Sequence, residues 1–472
     1  MPLSYIDGKA MPLGESTPLN PNKTYMPVSQ LLWAILPALL GNVVEFYDYA
    51  AYTSLTPELT DNFYAEDDTV GREFGVWIAF AVGQCARPIG ALIFGYIGDK
   101  YGRRPAIIIG TIGMVICTTL IGVVPTRRCC GESWGQFGFA VTIALRLVQG
   151  MCAAGELASA AAFSLEAAAP QQAGFVIGLL ACSGTGGFLI ASGIAALLEN
   201  TMETESLLDW GWRLPFVLAL PVGVGFVCYQ MTMQESAEFQ HAKEHSSGHV
   251  FKELFANYKL HLIICWGFTA SHAAWHYGTV TYAKDFLYTA GLCDVRTAGI
   301  ASMLMMTVAL FGEFGTGLLA DRVGFVRGMR YWLMLSLLLT YPCWMLLVAP
   351  TPGSHAVLML GAIITGLLYS GNTVVLGVSL SLFPTNVRTS GFGLAYNMAQ
   401  LCFAAPAPFA AGAMWAALSN GGQLSLGLGG NSIPAVWTML GVLVSGCAYL
   451  GLYYAVRTGA MATTSHVRHE PF

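Results

Sequence analysis

Five stretches of this chain, 107–124, 176–198, 214–231, 331–348 and 435–454, run for 18 to 23 residues without a charged side chain. At 1.5 Å rise per residue, about 20 apolar residues carry a helix across the hydrocarbon of a bilayer, so each stretch predicts a transmembrane helix. Seven more, 31–57, 74–98, 137–168, 258–289, 297–320, 355–383 and 388–418, are apolar but hold isolated ionisable or polar residues. That pattern belongs to helices lining a polar interior. Numbered in chain order these are spans 1 to 12. The longest hydrophilic interruption, 235–259, falls between spans 6 and 7. The expectation is an all-α polytopic membrane protein of twelve transmembrane helices in two six-helix halves, 31–234 and 258–457, joined by a loop at 235–257.

Composition agrees: 55% of the 472 residues are hydrophobic and 10% charged, too few charges to cover a water-facing globule. Residues 1–30 are polar and Pro-rich and lack the basic-then-apolar pattern of a cleavable signal, which predicts a cytosolic tail, as does 458–472. Lys100, Arg103, Arg104, Lys252, Lys259, Arg322, Arg327 and Arg330 fall on the side that a twelve-span chain with both ends inside places in the cytosol. The opposite loops are acidic, with Glu58, Asp61, Glu66, Asp67 and Asp68 after span 1 and Glu199, Glu203, Glu205 and Asp209 after span 5. Most of the twelve cysteines lie in apolar stretches and read as buried thiols. Cys129, Cys130 and Cys293 fall in loops on the opposite side, where a bridge could form.

A short device recurs at the same place in each half. After span 2 the chain reads Gly95-Tyr-Ile-Gly98-Asp99-Lys-Tyr-Gly102-Arg103-Arg104, and after span 8 Gly317-Leu-Leu-Ala320-Asp321-Arg322-Val-Gly324. The glycines permit a tight reversal, and the Asp can accept hydrogen bonds from a helix amino terminus or an Arg. A gating latch and a static turn both fit. This doubled signature resembles the major facilitator superfamily. Finer motifs resemble its metabolite:proton symporter branch, which includes bacterial proline/betaine:proton symporters: Gly41-Asn42 through Glu45 and Asp48 in span 1, Ala86-Arg87-Pro88 in span 2, Arg146 through Gly150 and Gly155-Glu156 in span 4, Asp209 through Phe216 before span 6, and Phe383-Pro384 through Arg388, leading to Tyr396-Asn397 in span 11. The resemblance implies the major facilitator fold, proton-driven transport and a gating role for Gly98, Asp99, Gly102, Arg103, Arg104, Asp321, Arg322 and Arg388. The chain departs from the branch in lacking arginines before Gly174, in the degenerate second device, and in Glu235-Ser236-Ala237 where Glu-Thr-Pro is usual. No heptad-bearing segment follows Arg457, so the osmosensing apparatus of some members is not expected. The tags of sugar carriers are absent as well.

Glu45 and Asp48, three residues apart, share a helix face in a span otherwise free of charge. Two neighbouring buried carboxylates do not both ionise cheaply, so a proton site is expected here; an ion pair with Arg87 or Arg146 is the alternative. The planar fork of Arg87 suits a carboxylate, whether of a solute or of the protein. Arg146 and Glu156 read equally as structural pairs or as parts of proton coupling. In span 7, His272 and His276 lie four apart, beside Trp266, Trp275, Tyr277 and Tyr282. They could form a polar cavity wall, titrate, or simply pack, while the aromatics could cage an ammonium by cation–π attraction or serve as core. Two histidines without a third ligand make a poor metal site.

No nucleotide loop, nucleophile elbow or metal-ligand cluster is present, so neither an enzyme nor an ATP-driven pump is expected, and the coupling ion would be the proton, with no cofactor. The expected partners are a small carboxylate-bearing solute, either a zwitterion such as proline or betaine or a di- or tricarboxylate, and the lipid bilayer, with no nucleic acid and function as a monomer. A uniporter or exchanger on the same fold and a non-transporting solute sensor stay open. The membrane expected is the plasma membrane.

Overall fold

A computed structural model describes residues 3–6, 9–12, 25–65, 68–244, 249–289, 291–348, 355–407 and 433–461. Among these, nine helices are long and apolar enough to cross a bilayer: Val28–Ser54, Gly75–Lys100, Arg103–Val123, Glu132–Ala167, Pro170–Thr201, Gly211–Gln230, Val295–Val323, His355–Ser381 and Pro434–Arg457. They are spans 1 to 6, 8, 10 and 12. Span 7 is Lys259–Ala273, prolonged by the π-helical stretch Ala274–Thr281; span 9 is Phe325–Leu347; and span 11 is Arg388–Ala399 with a π-helical continuation Gln400–Ala404. The part of span 11 expected beyond 407 lies outside the described residues. The amino-terminal tail holds something its polarity did not predict, an antiparallel ribbon pairing Leu3–Ile6 with Lys9–Pro12.

Large apolar side chains such as Phe311, Leu338 and Tyr454 stay exposed on the outer surface, as lipid-facing residues should. The two halves meet along two seams, span 2 against span 11 and span 5 against span 8. Both are built from small residues, which let backbones approach where lipid offers no hydrophobic drive. A Cβ on Gly174 of span 5 would lie 2.3 Å from the Gly317 carbonyl oxygen of span 8, and one on Gly98 of span 2 would lie 2.9 Å from the Thr389 methyl of span 11.

On the side of the bilayer that carries the termini, each seam is tied by the aspartate of its repeated device. Asp99 accepts from the backbone N–H of Thr389 (3.0 Å) and Ser390 (2.7 Å) at the start of span 11. Asp321 accepts from Gly174 (2.6 Å) and Phe175 (2.8 Å) at the start of span 5. Each carboxylate thus answers the unsatisfied amides and positive dipole end of a helix in the opposite half. Gly102 and Gly324 follow at φ +131° and +93°, backbone shapes that side-chain-bearing residues rarely adopt, and there the chain reverses into spans 3 and 9.

The two ties differ in strength. Around Asp99, Arg103 donates to the Asp99 carboxylate (2.8 Å), to both oxygens of Glu166 (2.7 and 3.2 Å) and to the Thr385 carbonyl of the other half (2.6 Å). Arg388 reaches Glu166 at 2.9 Å and Glu238 at 3.4 Å. Glu166, which the sequence reading did not single out, is the hub. Ser236, where the branch usually has Thr, keeps the hydroxyl contact to it at 2.8 Å. Arg104 turns aside, its guanidinium donating to the Met231 carbonyl of its own half and its backbone N–H to Glu235 at the start of the inter-half loop, and Arg322 is exposed with no ion pair among the described residues. Neither bridges the halves. Cys129 and Cys130 form a vicinal disulfide, while Cys293 is a free thiol.

Asp99→Asn should take the charge from the two contacts Asp99 makes across the seam, and one of its two acceptor oxygens, while leaving the span 5 tie intact. Losing about 1–3 kcal/mol shifts a two-state balance roughly five- to 150-fold. A cysteine introduced at Ser159, buried beneath Gly98, should then react faster with a water-soluble thiol reagent than in the otherwise native protein; an unchanged rate would remove Asp99 from the seam.

Candidate functional site

The middle of the molecule holds a chain of buried charges whose positions follow from helical spacing. Span 1 presents Glu45, Asp48 and Tyr49 on one side, and each carboxylate meets its own arginine. Arg87, on span 2, donates to Glu45 at 2.8 Å, to the Tyr49 hydroxyl, and to the Asn397 side-chain oxygen at 2.6 Å. Asn397 is on span 11, so this guanidinium joins the halves. Arg146, on span 4, pairs with Asp48 at 2.8 Å and stacks over Tyr52 at 3.7 Å. Gln149 (2.7 Å) and Thr118 (2.9 Å) complete the Asp48 shell. Glu45 and Asp48 both border a cavity of about 10 Å³, room for about one water. Each carboxylate has its own arginine: Glu45 belongs to an inter-half pair, and Asp48 to a network inside the first half in which Arg146 Nε and Nη2 have no hydrogen-bond partner among the described residues.

Glu156 lies one helical turn from Glu45 on the side of the termini. Its Oε1 is 2.1 Å from where a Cβ on Gly41 would stand, and that glycine makes the room for it. Neither Glu156 oxygen accepts a hydrogen bond among the described residues. A carboxylate with no donor and no cation is costly to ionise in such a place, which sets it apart from Asp48.

A second cavity, of about 30 Å³, lies between the halves. Asn42 and Phe46 of span 1 and Thr185 of span 5 face His272 of span 7, Glu313 of span 8, Tyr369 of span 10 and Tyr396 of span 11 across it. Glu313 escaped the sequence reading. Its signal was available, because it is the sole charge between Arg296 and Asp321 in an otherwise apolar span.

Above this cavity, away from the termini, His276 packs edge-on against Phe46 (5.5 Å between ring centres) and Phe188 (5.8 Å), and its Nδ1 lies 2.8 Å from the Tyr369 hydroxyl. Tyr277 packs at 5.7 Å on Phe80 and 6.4 Å on Tyr49. Phe188 also borders a cavity of about 580 Å³ that holds Glu199, Lys284 and Arg296. The rings therefore form a partition between a large cavity on the side away from the termini and a small central one. His276 and Tyr277 lie in the π-helical stretch of span 7, and π-bulges re-aim side chains where a regular helix would not.

Lys284 and Glu199, both on the lining of the large cavity, pair at 3.4 Å. Glu58, on the short helix Thr56–Phe63 beyond span 1, is pushed up to about 7 by burial, with Glu199 and Asp61 adding to the rise against Lys284 and a backbone hydrogen bond. Trp266 packs against Phe403, and Trp275, 1% exposed, lines a separate small void with Trp344 rather than either of these cavities. The side chain of Tyr282 lies outside the described residues. No group of three metal-ligating side chains occurs among the described residues.

The sequence model of the Major Facilitator Superfamily matches residues 38–407. The chain is 27% identical, over 80% of its length and 76% of the relative's, to a glycine betaine/proline/ectoine/pipecolic acid transporter of Dickeya dadantii. It is 28% identical, over 84% of its length and 91% of the relative's, to the alpha-ketoglutarate permease of Escherichia coli. Among solved structures, the proton:xylose symporter XylE bound to 6-bromo-6-deoxy-D-glucose superposes with a TM-score of 0.71 at 14% identity, covering 91% of this chain and 96% of that one. Twelve helical spans in two halves, a doubled inter-half tie and a family match across most of the chain lead to one conclusion: this integral membrane protein is a transporter, not an enzyme, and belongs to the Major Facilitator Superfamily.

Proposed function

We propose that the protein is a solute:proton symporter for a small carboxylate-bearing metabolite, working by alternating access in the plasma membrane as a monomer. Both termini lie in the cytosol on this reading, and the functional division is a bundle at 31–234, a loop at 235–257 and a bundle at 258–457. The observation that carries it is the Arg87 guanidinium, 1% exposed, held by Glu45 of its own half and Asn397 of the other.

A buried guanidinium needs an anionic partner. A proton arriving on Glu45 releases Arg87, whose bidentate fork then accepts the solute carboxylate. Loss of that proton lets Glu45 reclaim the guanidinium and expel the solute. Binding and protonation thereby favour one another, as linkage requires of a symporter. Glu156, one turn from Glu45 toward the termini, serves as the next proton acceptor on the cytosolic side. The two gates are the partition around His276 with Tyr277, toward the outer cavity, and the Asp99 and Asp321 ties with Arg103 and Arg388, toward the cytosol. Tyr396 and His272 line the space where the solute sits. The named solutes of the relatives, proline, betaine and alpha-ketoglutarate, all carry the carboxylate this mechanism uses.

In proteoliposomes with an imposed pH gradient, Glu45→Gln should abolish accumulation against a solute gradient while retaining solute exchange. Uphill uptake with unchanged pH dependence would move the proton site elsewhere. Arg87→Lys should lower uptake at least tenfold, nearly as much as Arg87→Ala, since an ammonium cannot reproduce the fork; full activity in the Lys variant would reduce Arg87 to a counter-charge.

A further inference from the structure

Glu313 is 3% exposed, borders the central cavity, and leaves Oε2 without a hydrogen-bond partner among the described residues. A hydrogen bond from Thr185 of span 5 holds the group in place. Among the described residues no lysine or arginine borders this cavity, and its lining includes the rings of Phe46, Tyr369, Tyr396 and His272. An acidic group in a cavity partly walled by aromatic rings, with no cation on its lining, has the chemistry that recognises a substituted ammonium, by charge and by cation–π attraction together. The carboxylate-binding guanidinium is close by along the chain, because Arg87 holds Asn397, the residue after Tyr396.

The geometry points to Glu313 as the specificity residue for the cationic end of the solute, which makes the transported solute a zwitterion bearing a secondary, tertiary or quaternary ammonium. The inference rests on the symport reading for the carboxylate end, at Arg87, and adds the opposite end. A zwitterion so bound places its anion on span 2 and its cation on span 8, one in each half, so that occupancy itself draws the halves together. A dicarboxylate would present its second negative charge to Glu313, where no cation receives it.

The test compares two isosteres, glycine betaine and 3,3-dimethylbutanoate, which differ by the exchange of N⁺ for C. Binding of each is measured by equilibrium competition against radiolabelled L-proline on the purified full chain, with 2-oxoglutarate as a third competitor and without any proton gradient. The wild type should prefer betaine to its uncharged-headed isostere at least tenfold and to 2-oxoglutarate by a similar factor. In Glu313→Gln the betaine-to-isostere ratio should fall toward one, and in Glu313→Asp it should persist with weaker affinity for both. Because the readout is a ratio within one protein sample, partial unfolding of a variant does not mimic it.

The assignment is overturned if the wild type binds the isosteres equally, if 2-oxoglutarate outcompetes betaine, or if the ratio survives in folded Glu313→Gln. It is also overturned if Glu313→Gln keeps the ratio but loses pH-driven accumulation, which would make Glu313 a proton carrier. If betaine selectivity depends on Glu313 while no probe accumulates under a pH gradient, the symport reading fails and the assignment stands.

Discussion

A guanidinium in the middle of a bilayer has to be answered by an anion, and most of the internal architecture of this protein follows from that requirement. Arg87 and Arg146 are both buried, and the structure spends Glu45, Asp48, Asn397, Gln149, Thr118 and two tyrosines on them. Truncating one member of such a set strands another in low dielectric, which is far more costly than replacing the pair by apolar residues. On the proposed reading, the same requirement makes the pairs usable for transport. A partner that can be protonated, or replaced by a solute carrying the same charge, changes the energy of the arrangement without leaving a naked ion.

Much of this was legible in the sequence because the bilayer imposes strict rules. Uninterrupted apolar runs gave the spans, and the repeated Gly-Asp device gave the two halves and the location of the ties. The partners were not legible. Glu45 and Asp48 look like one pair from their spacing, yet a rotation of three residues on a helix is about 60° from a full turn, enough for two different arginines on two different helices to claim them. The Trp residues of span 7 have the spacing of a cavity wall, but a helix in contact with several others presents aromatics to more than one neighbour, and spacing alone does not say which face looks inward. Glu166 was overlooked although it carried a physical signal: a carboxylate in the last turn of a helix opposes the helix dipole, so its presence there called for cations nearby, and Arg103 and Arg388 supply them.

The two halves repeat a fold without repeating its energetics. Asp321 holds span 5 through two backbone amides, whereas the Asp99 side of the molecule adds Arg103, Glu166, Arg388 and Glu238 to the same kind of helix capping. The degenerate second device, with Arg322 left in solvent, is the sequence record of that difference. Symmetry of backbone therefore coexists with a strong seam and a weak one.

One consequence concerns dissolved salt. Asp99, Arg103, Glu166 and Arg388 are each at most 6% exposed, so mobile ions cannot come between them, and screening over a Debye length of about 8 Å at physiological ionic strength acts on exposed charges far more than on these. The Arg128 contacts to Glu205 and Asp209 on the opposite side are exposed by comparison, with the two carboxylates 79% and 61% accessible. Ionic strength thus acts unevenly: the exposed Arg128 pairs weaken as electrolyte concentration rises, while the buried seam on the side of the termini keeps its strength.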